Sequence, residues 1–231
     1  MREKIIIVGT GLAAKQASLY LKEHDGSDVM AFASERPDAA FFAEKPVYSL
    51  DALSDHFDCH VYKIYMAVGY RDLNALRRRL LNKALSMGFV PLSYISPHAL
   101  VSPETTLGAG IQIGDLATVQ YRGQVGDNVI ILPGAILGHH CQIEADCYLC
   151  QGVNISGFVT IGSGSFVGTG AIFTDGVTVG KSCFIGAGAC VHKDMPDNSY
   201  WHPSLKKPVA GAKEAFTAWY GRQASRYGMC T

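Results

Sequence analysis

Every sixth residue from Val101 to Val191 is apolar: Val101, Leu107, Ile113, Val119, Val125, Ile131, Leu137, Ile143, Leu149, Ile155, Ile161, Val167, Phe173, Val179, Ile185 and Val191. The register never slips. Glycine often follows these residues (Gly108, Gly114, Gly126, Gly138, Gly162, Gly168, Gly180, Gly186). A small residue often stands two places before them (Ala117, Ala135, Cys141, Cys147, Ala171, Cys183, Ala189). A six-residue unit cannot bury its own apolar side chain, so such units close into coils that stack and share one core. The pattern predicts a parallel β-helix with three hexads to a triangular coil. Sixteen hexads then make about five coils, or ~24 Å of height at the ~4.8 Å strand spacing. The glycines are expected to give the backbone its freedom at the corners, and the small residues to fill the interior.

Composition narrows the partners. Among 231 residues, twenty acidic and twenty basic side chains cancel, so no global field draws the chain to nucleic acid or an anionic membrane. Its 48% hydrophobic content suits a packed protein rather than a disordered one. The run Arg77-Arg78-Arg79 lies in a helical pattern and reads as a solvated face. Cys147-Tyr148-Leu149-Cys150 is a lone CxxC with no second pair, and Cys141, Cys147 and Cys183 fall on the small inward column. No metal site or disulfide is expected from the seven cysteines, and a reducing cytoplasm suits them. After Met1-Arg2-Glu3-Lys4 the apolar run Ile5–Val8 is too short for a secretory signal. No stretch reaches the ~20 apolar residues of a membrane span.

Residues 1–95 read as a small α/β domain. Ile5–Val8, Val29–Ala33 and Tyr62–Val68 are buried strands, and a helix follows the first. Ala52–Phe57 reads as a short helix and Asp72–Met87 as a long one ended by Gly88. Alternation of this kind implies βαβ units on a parallel sheet. The turn Gly9-Thr10-Gly11-Leu12-Ala13-Ala14 matches a dinucleotide-type fingerprint, in which glycines admit a phosphate to a helix N-terminus. Ser34 and Glu35 end the second strand, where such folds place a ribose-binding acid. Gly69-Tyr70-Arg71 offers a second wall, with Tyr70 to stack on a base or sugar and Arg71 to meet a phosphate. Half a dinucleotide fold suits a mononucleotide better than NAD.

A βαβ domain joined through Tyr94-Ile95-Ser96-Pro97 to this hexad register resembles the bacterial nucleotide-sugar acetyltransferases of the hexapeptide-repeat class. These include the UDP-4-amino-sugar N-acetyltransferases and the sialic-acid O-acetyltransferase-like proteins. The resemblance implies a left-handed β-helix at residues 96–195, a nucleotide-sugar-binding domain at 1–95 and a cap at 196–231. It further implies acetyl-CoA as cosubstrate with no metal, and a cytoplasmic homotrimer whose active sites lie between β-helices. Ile136 and Val153 would be among the apolar spots packed there. By register it makes His139 the general base. An imidazole titrating near neutrality can take the amine's proton as nitrogen attacks the thioester. His140 stands where many members carry a carboxylate. Tyr148 would meet the thioester carbonyl, Gly157, Thr169 and Ala187 would line the pantetheine arm, and Lys193 would meet a CoA phosphate.

The chain departs from that pattern in places. Leu12 and Ala13 replace a second glycine and a histidine, Ala33 and Ser34 replace acidic residues, and His202–Pro208 replaces a Gly-Pro-Ala element. Ala212–Arg226 has helical spacing and is expected to cover the open end of the solenoid. Three other readings stand beside an N-acetyltransferase. They are transfer to a sugar hydroxyl or of another acyl group, a non-catalytic β-helix that binds a ligand, and a nicotinamide enzyme built on Gly9–Ala14.

Overall fold

A computed structural model describes residues 3–24 and 26–227; Met1, Arg2 and Cys230 lie outside them. The chain divides into two compact units, one running to Gly69 and resuming at Leu76–Tyr94, the other made of Tyr70–Ala75 and the chain from Ile95 onward.

The first unit is built on a six-stranded sheet. Its order is Phe41–Phe42, Lys45–Ser49, Asp28–Ser34, Lys4–Val8, Tyr62–Met66 and Val90–Pro91. All pairings are parallel except the Phe41–Phe42/Lys45–Ser49 hairpin. Alternate residues of the central strand serve opposite faces. Ile5 and Ile7 pack with Ala14, Ala17 and Leu21 of the helix Leu12–His24, and Ile6 and Val8 with Leu80, Leu81 and Ala84 of the helix Ala75–Ser86. A sheet buried on both faces needs continuous apolar strands, which is how Ile5–Val8 reads.

Three expectations change here. The hairpin and the Val90–Pro91 strand add to the three strands expected, because two-residue strands and a Pro-containing edge leave no period-two signal. The long helix starts at Ala75 rather than Asp72, since Asp72, Leu73 and Asn74 hold φ of +54°, +51° and +68°. The arginine run is a solvated face only at Arg78 and Arg79. Arg77 is wholly buried, with Nη1 donating to the Gly69 carbonyl at 3.4 Å, and Arg79 is paired with Glu35.

The second unit is the left-handed parallel β-helix. Sixteen two-residue strands run from Leu100–Val101 to Cys190–Val191, and each ends on the inward residue that the six-residue period marks. Strands pair in parallel three hexads apart, as Val101 with Val119 and Val119 with Leu137. From Ile113 to Val191 every residue of the inward column is buried. Each such side chain contributes ~1.5–3 kcal/mol relative to exposure. The small column behaves as expected: Cys141 and Cys147 are fully buried and donate Sγ–H to the Ser156 and Gly162 carbonyls at 3.0 and 3.3 Å.

The corners differ from expectation. The glycines that follow the inward residues serve close stacking and not chain reversal. A Cβ on Gly138 would stand 2.7 Å from the Ser156 carbonyl carbon, and one on Gly168 2.5 Å from the Ala187 nitrogen. The left-handed residue comes three places after the inward one, at every sixth position from Gly110 to Gly188 without a break. Non-glycine residues hold it at Leu116, Arg122, Asn128, His140, Asp146, Phe158 and Ser182. The backbone N–H exposed there is satisfied by the preceding coil, as His140 N to Tyr121 O at 2.9 Å and Phe158 N to His139 O at 3.0 Å.

Three chemically different faces result. One presents Ile130, Tyr148, Phe166, Phe184 and Tyr200, the second Leu100, Thr118, Ile136, Asn154, Ile172 and Cys190, and the third Thr106, Gln124, Gln142, Thr160 and Thr178. The helix Ala212–Tyr227 lies on the first, a lateral face, and not over the open end of the solenoid. Phe216 and Trp219 stand within 5.4–5.8 Å of the Phe166 and Phe184 rings, so the aromatic residues of the helix are packed against the aromatic face. Trp201, 2% exposed, closes the core instead, on a strand whose register pairs Ile185 with Trp201 in a shortened final coil. The strap Tyr70–Ala75 joins the same face through Leu73, and Asn74 Nδ2 donates to the Gly164 and Ser165 carbonyls at 3.2 and 3.1 Å.

Candidate functional site

One edge of the prism, between the second and third faces, carries the histidines. Successive coils stack Tyr121, His139, Gly157 and Asp175 in one column and Arg122, His140, Phe158 and Gly176 in the next. His139 is exposed and lies over Gly157, where a Cβ would come 2.5 Å from Cε1 and 2.8 Å from Nε2. Its Nδ1 is 3.2 Å from the Nδ1 of His140. His140 is stacked on Phe158, centroids 4.9 Å apart and planes 17° from parallel, while Phe158 meets His139 edge-on at 5.0 Å. Tyr121 closes the other side at 5.6 Å from His140. Glu104 is paired with Arg122 at 3.5 Å, and Asp175 accepts the Gly157 N–H at 3.0 Å. Glu144 and Asp146 belong to the next edge, where they bind Ser163 N and Asn128 Nδ2. Sequence reading missed Tyr121 and Phe158, though their spacing of three hexads from the two histidines is the signal that finds them.

The residues expected at the cosubstrate divide. Gly157 lies with His139. Thr169 and Ala187 lie on a different edge, where Gly188 N donates to Thr169 O at 2.9 Å, so Ala187 is one coil beyond Thr169 as expected. Beside that edge is a cavity of about 540 Å³ between the aromatic face and the cap helix. Thr169, Ala187, Tyr148 and Tyr70 line it, with His202 and Arg222 as its basic residues. Tyr148 is 9% exposed and packs on Tyr70 and Phe166. Tyr70 therefore sits among Tyr148, Phe166, Phe216 and Trp219 as part of the second unit, with burial raising its hydroxyl pKa, rather than as an open stacking platform for a base. Arg71 is exposed on the strap, and Lys193 is exposed beyond the last strand. Cys150 also lines the cavity, and burial pushes its thiol up to about 12. Burial raises Cys141 and Cys183 as well, so these thiols are poor nucleophiles.

In the first unit the turn Gly9–Leu12 joins the central strand to its helix, at the carboxyl ends of the parallel strands where such sheets bind ligands. Gly9 has φ +125°, and a Cβ there would stand 2.6 Å from the Ala67 carbonyl oxygen, so only glycine lets these two strand ends approach. Thr10 is half-buried and Gly11 open. Leu12 is 83% exposed at the helix start. Ser34 ends the second strand, its Oγ accepting Arg36 N–H at 3.3 Å. Glu35 does not wait for a ribose. Arg79 grips both its carboxylate oxygens, one at 2.9 Å, and Lys83 lies 3.9 Å away. The hydrogen bond from Arg79 holds the Glu35 carboxyl below its ordinary pKa. Asp58, Cys59 and His60 bring one ligand atom each within 4.8 Å on a partly exposed turn, where Asp58 Oδ1 already accepts the His60 N–H. No helix among the described residues is long and apolar enough to cross a membrane.

Comparison with known proteins bears on this geometry directly. Residues 123–157 match the family described as bacterial transferase hexapeptide (six repeats), and residues 158–193 match the hexapeptide repeat of succinyl-transferase. Both matched segments lie within the β-helix. The chain is 26% identical over 155 residues to a GDP-perosamine N-acetyltransferase of Escherichia coli O157:H7, covering 66% of this chain and 67% of that one. The perosamine N-acetyltransferase of Caulobacter crescentus, solved with CoA and GDP-perosamine as a histidine-to-asparagine mutant, superposes with a TM-score of 0.80 at 29% identity. That match covers 90% of this chain and 97% of the other. The acetyltransferase domain of PglB from Neisseria gonorrhoeae FA1090 gives 0.79 at 28% identity, over 90% and 100%. The relatives of this hexapeptide-repeat chain are thus acetyltransferases, and the aligned length includes both units.

Proposed function

We propose that this chain is a cytoplasmic acetyl-CoA-dependent N-acetyltransferase for the amine of a nucleotide-linked amino sugar. The observation that carries the reading is His139, an exposed imidazole ordered on a prism edge by Gly157, Phe158 and His140. The relatives' chemistry supports an amine over a hydroxyl acceptor and a GDP-sugar as the first candidate. Bound acetyl-CoA supplies a thioester carbonyl. The acceptor nitrogen attacks its carbon, the C–N bond forms and the C–S bond breaks. His139 Nε2 takes the proton from the attacking nitrogen and returns it to the departing sulfur, so CoA leaves as the thiol. Such base catalysis is worth ~10²–10⁴-fold. The cavity fits a thiol-bearing arm: it is apolar along Tyr148 and Phe166 and basic at His202 and Arg222. The nucleotide belongs at Gly9–Leu12 and Ser34, in a domain spanning 1–95, with catalysis at 96–195 and the cap at 196–231.

The homotrimer reading has structural support. His139 and Gly157 occupy one edge of the prism and Thr169 and Ala187 another, so prism-to-prism packing is the way to bring them to one acyl donor. The second face offers Leu100, Ile136 and Ile172, 69%, 39% and 47% exposed, for that packing. Val153 has no part in it, because it points inward and is fully buried.

The test is thiol release from acetyl-CoA with GDP-, UDP- and dTDP-linked amino sugars, native protein beside His139→Ala. Turnover with one sugar, lowered at least ~10²-fold in the variant, is expected. Turnover that survives the substitution removes His139 as base, and no release with any amine turns the reading towards a binding module.

A further inference from the structure

We propose that His140 is the positioning residue of this edge. Its unprotonated Nδ1 accepts the Nδ1–H of His139, which leaves the His139 Nε2 lone pair free for the acceptor's proton. The inference rests on His139 being the base.

Two nitrogens 3.2 Å apart are within reach of one shared proton, and the neutral pair then has two hydrogen-bonded arrangements. In one, His139 donates and Nε2 is basic. In the other, His140 donates, the His139 proton moves to Nε2, and the base is disabled. His140 is built to stay in place. Its φ of +57° is the left-handed corner of the coil, its N–H is bound to Tyr121 O, and its ring is clamped between Phe158 and Tyr121. His139 in turn is seated over Gly157. The carboxylates of this edge are engaged elsewhere, Glu104 with Arg122 and Asp175 with the Gly157 N–H. His140 is therefore the acceptor in hydrogen-bond contact with His139 Nδ1, and it orients the base without a fixed negative charge. When Nε2 takes the acceptor's proton, the Nδ1–H stays shared with His140, whose own proton sits on Nε2.

Long-range ¹H–¹⁵N spectra of the full chain with ¹⁵N-labelled histidine test this at mildly alkaline pH, with signals assigned through His139→Gln and His140→Gln. The expected result is His139 protonated at Nδ1 and His140 at Nε2. In His140→Ala the His139 signal should move to the Nε2–H tautomer. The same substitution should lower kcat at least ~10-fold with both KM values nearly unchanged, and His140→Asn, whose amide oxygen accepts, should recover part of it. An Nε2–H tautomer for His139 in the native protein, or an undiminished kcat in His140→Ala, overturns the proposal. Failure of the functional reading is distinguishable: native protein would then show the expected tautomers and release no thiol.

Discussion

A methyl group at Gly157 would land 2.5 Å from Cε1 of His139, on a backbone that is not in the left-handed region. Gly157→Ala should therefore displace the imidazole while leaving the coil folded. Thiol release is expected to fall at least ~10-fold, with little change in melting temperature. A variant that unfolds, or one that works normally, would contradict this account of the glycine. The place of His139 on a prism corner was legible in the sequence, because the hexad register puts it two residues after the inward Leu137. Its surroundings were not. Phe158 and Tyr121 are far from it along the chain and near it only through coil stacking. Glu35 was misread because its partner, Arg79, comes from a helix whose facing cannot be seen in a run of three arginines.

That helix, Ala75–Ser86, is tied to the second strand's end through Glu35, Arg79 and Lys83, with Lys83 also reaching Asp51. Arg79 holds the Glu35 carboxyl below its unfolded value. The pair's contribution is thus fully present above the unfolded carboxylate's range and is lost as pH falls through the lowered value. Arg79 is 58% exposed, so screening limits the contribution to roughly 0.5 kcal/mol. Melting curves of the native chain and Glu35→Gln should separate slightly at neutral pH and converge in acid; a gap that widens in acid would reverse the assignment. Among the elements, the helices and the longer strands were legible from apolar spacing. The start of this helix was not, because three consecutive left-handed residues leave no trace in propensity. The cap helix was found but misplaced, since its aromatic stripe shows that it packs and not on which face.

Across the β-helix the decisive property is that its three faces differ: aromatic and covered, aliphatic and open, or polar. Reading every eighteenth residue would have sorted them; the six-residue period alone shows only the shared interior. Lysine at both Ile136 and Ile172 puts charge on the open aliphatic face without touching the core. Sedimentation should show the native chain as a trimer and the double variant as a monomer with unchanged circular dichroism. A native monomer, or a variant trimer, would remove that face as the interface. The unbroken phase of the corners has a consequence for how such a rod can change over generations. Losing or gaining one residue would turn every later side chain inside out and move the left-handed bend onto the wrong residue. Length can therefore vary only in whole coils. A shift of phase is harmless at one place, the last turn that ends in Trp201, because no further coil has to fit on top of it.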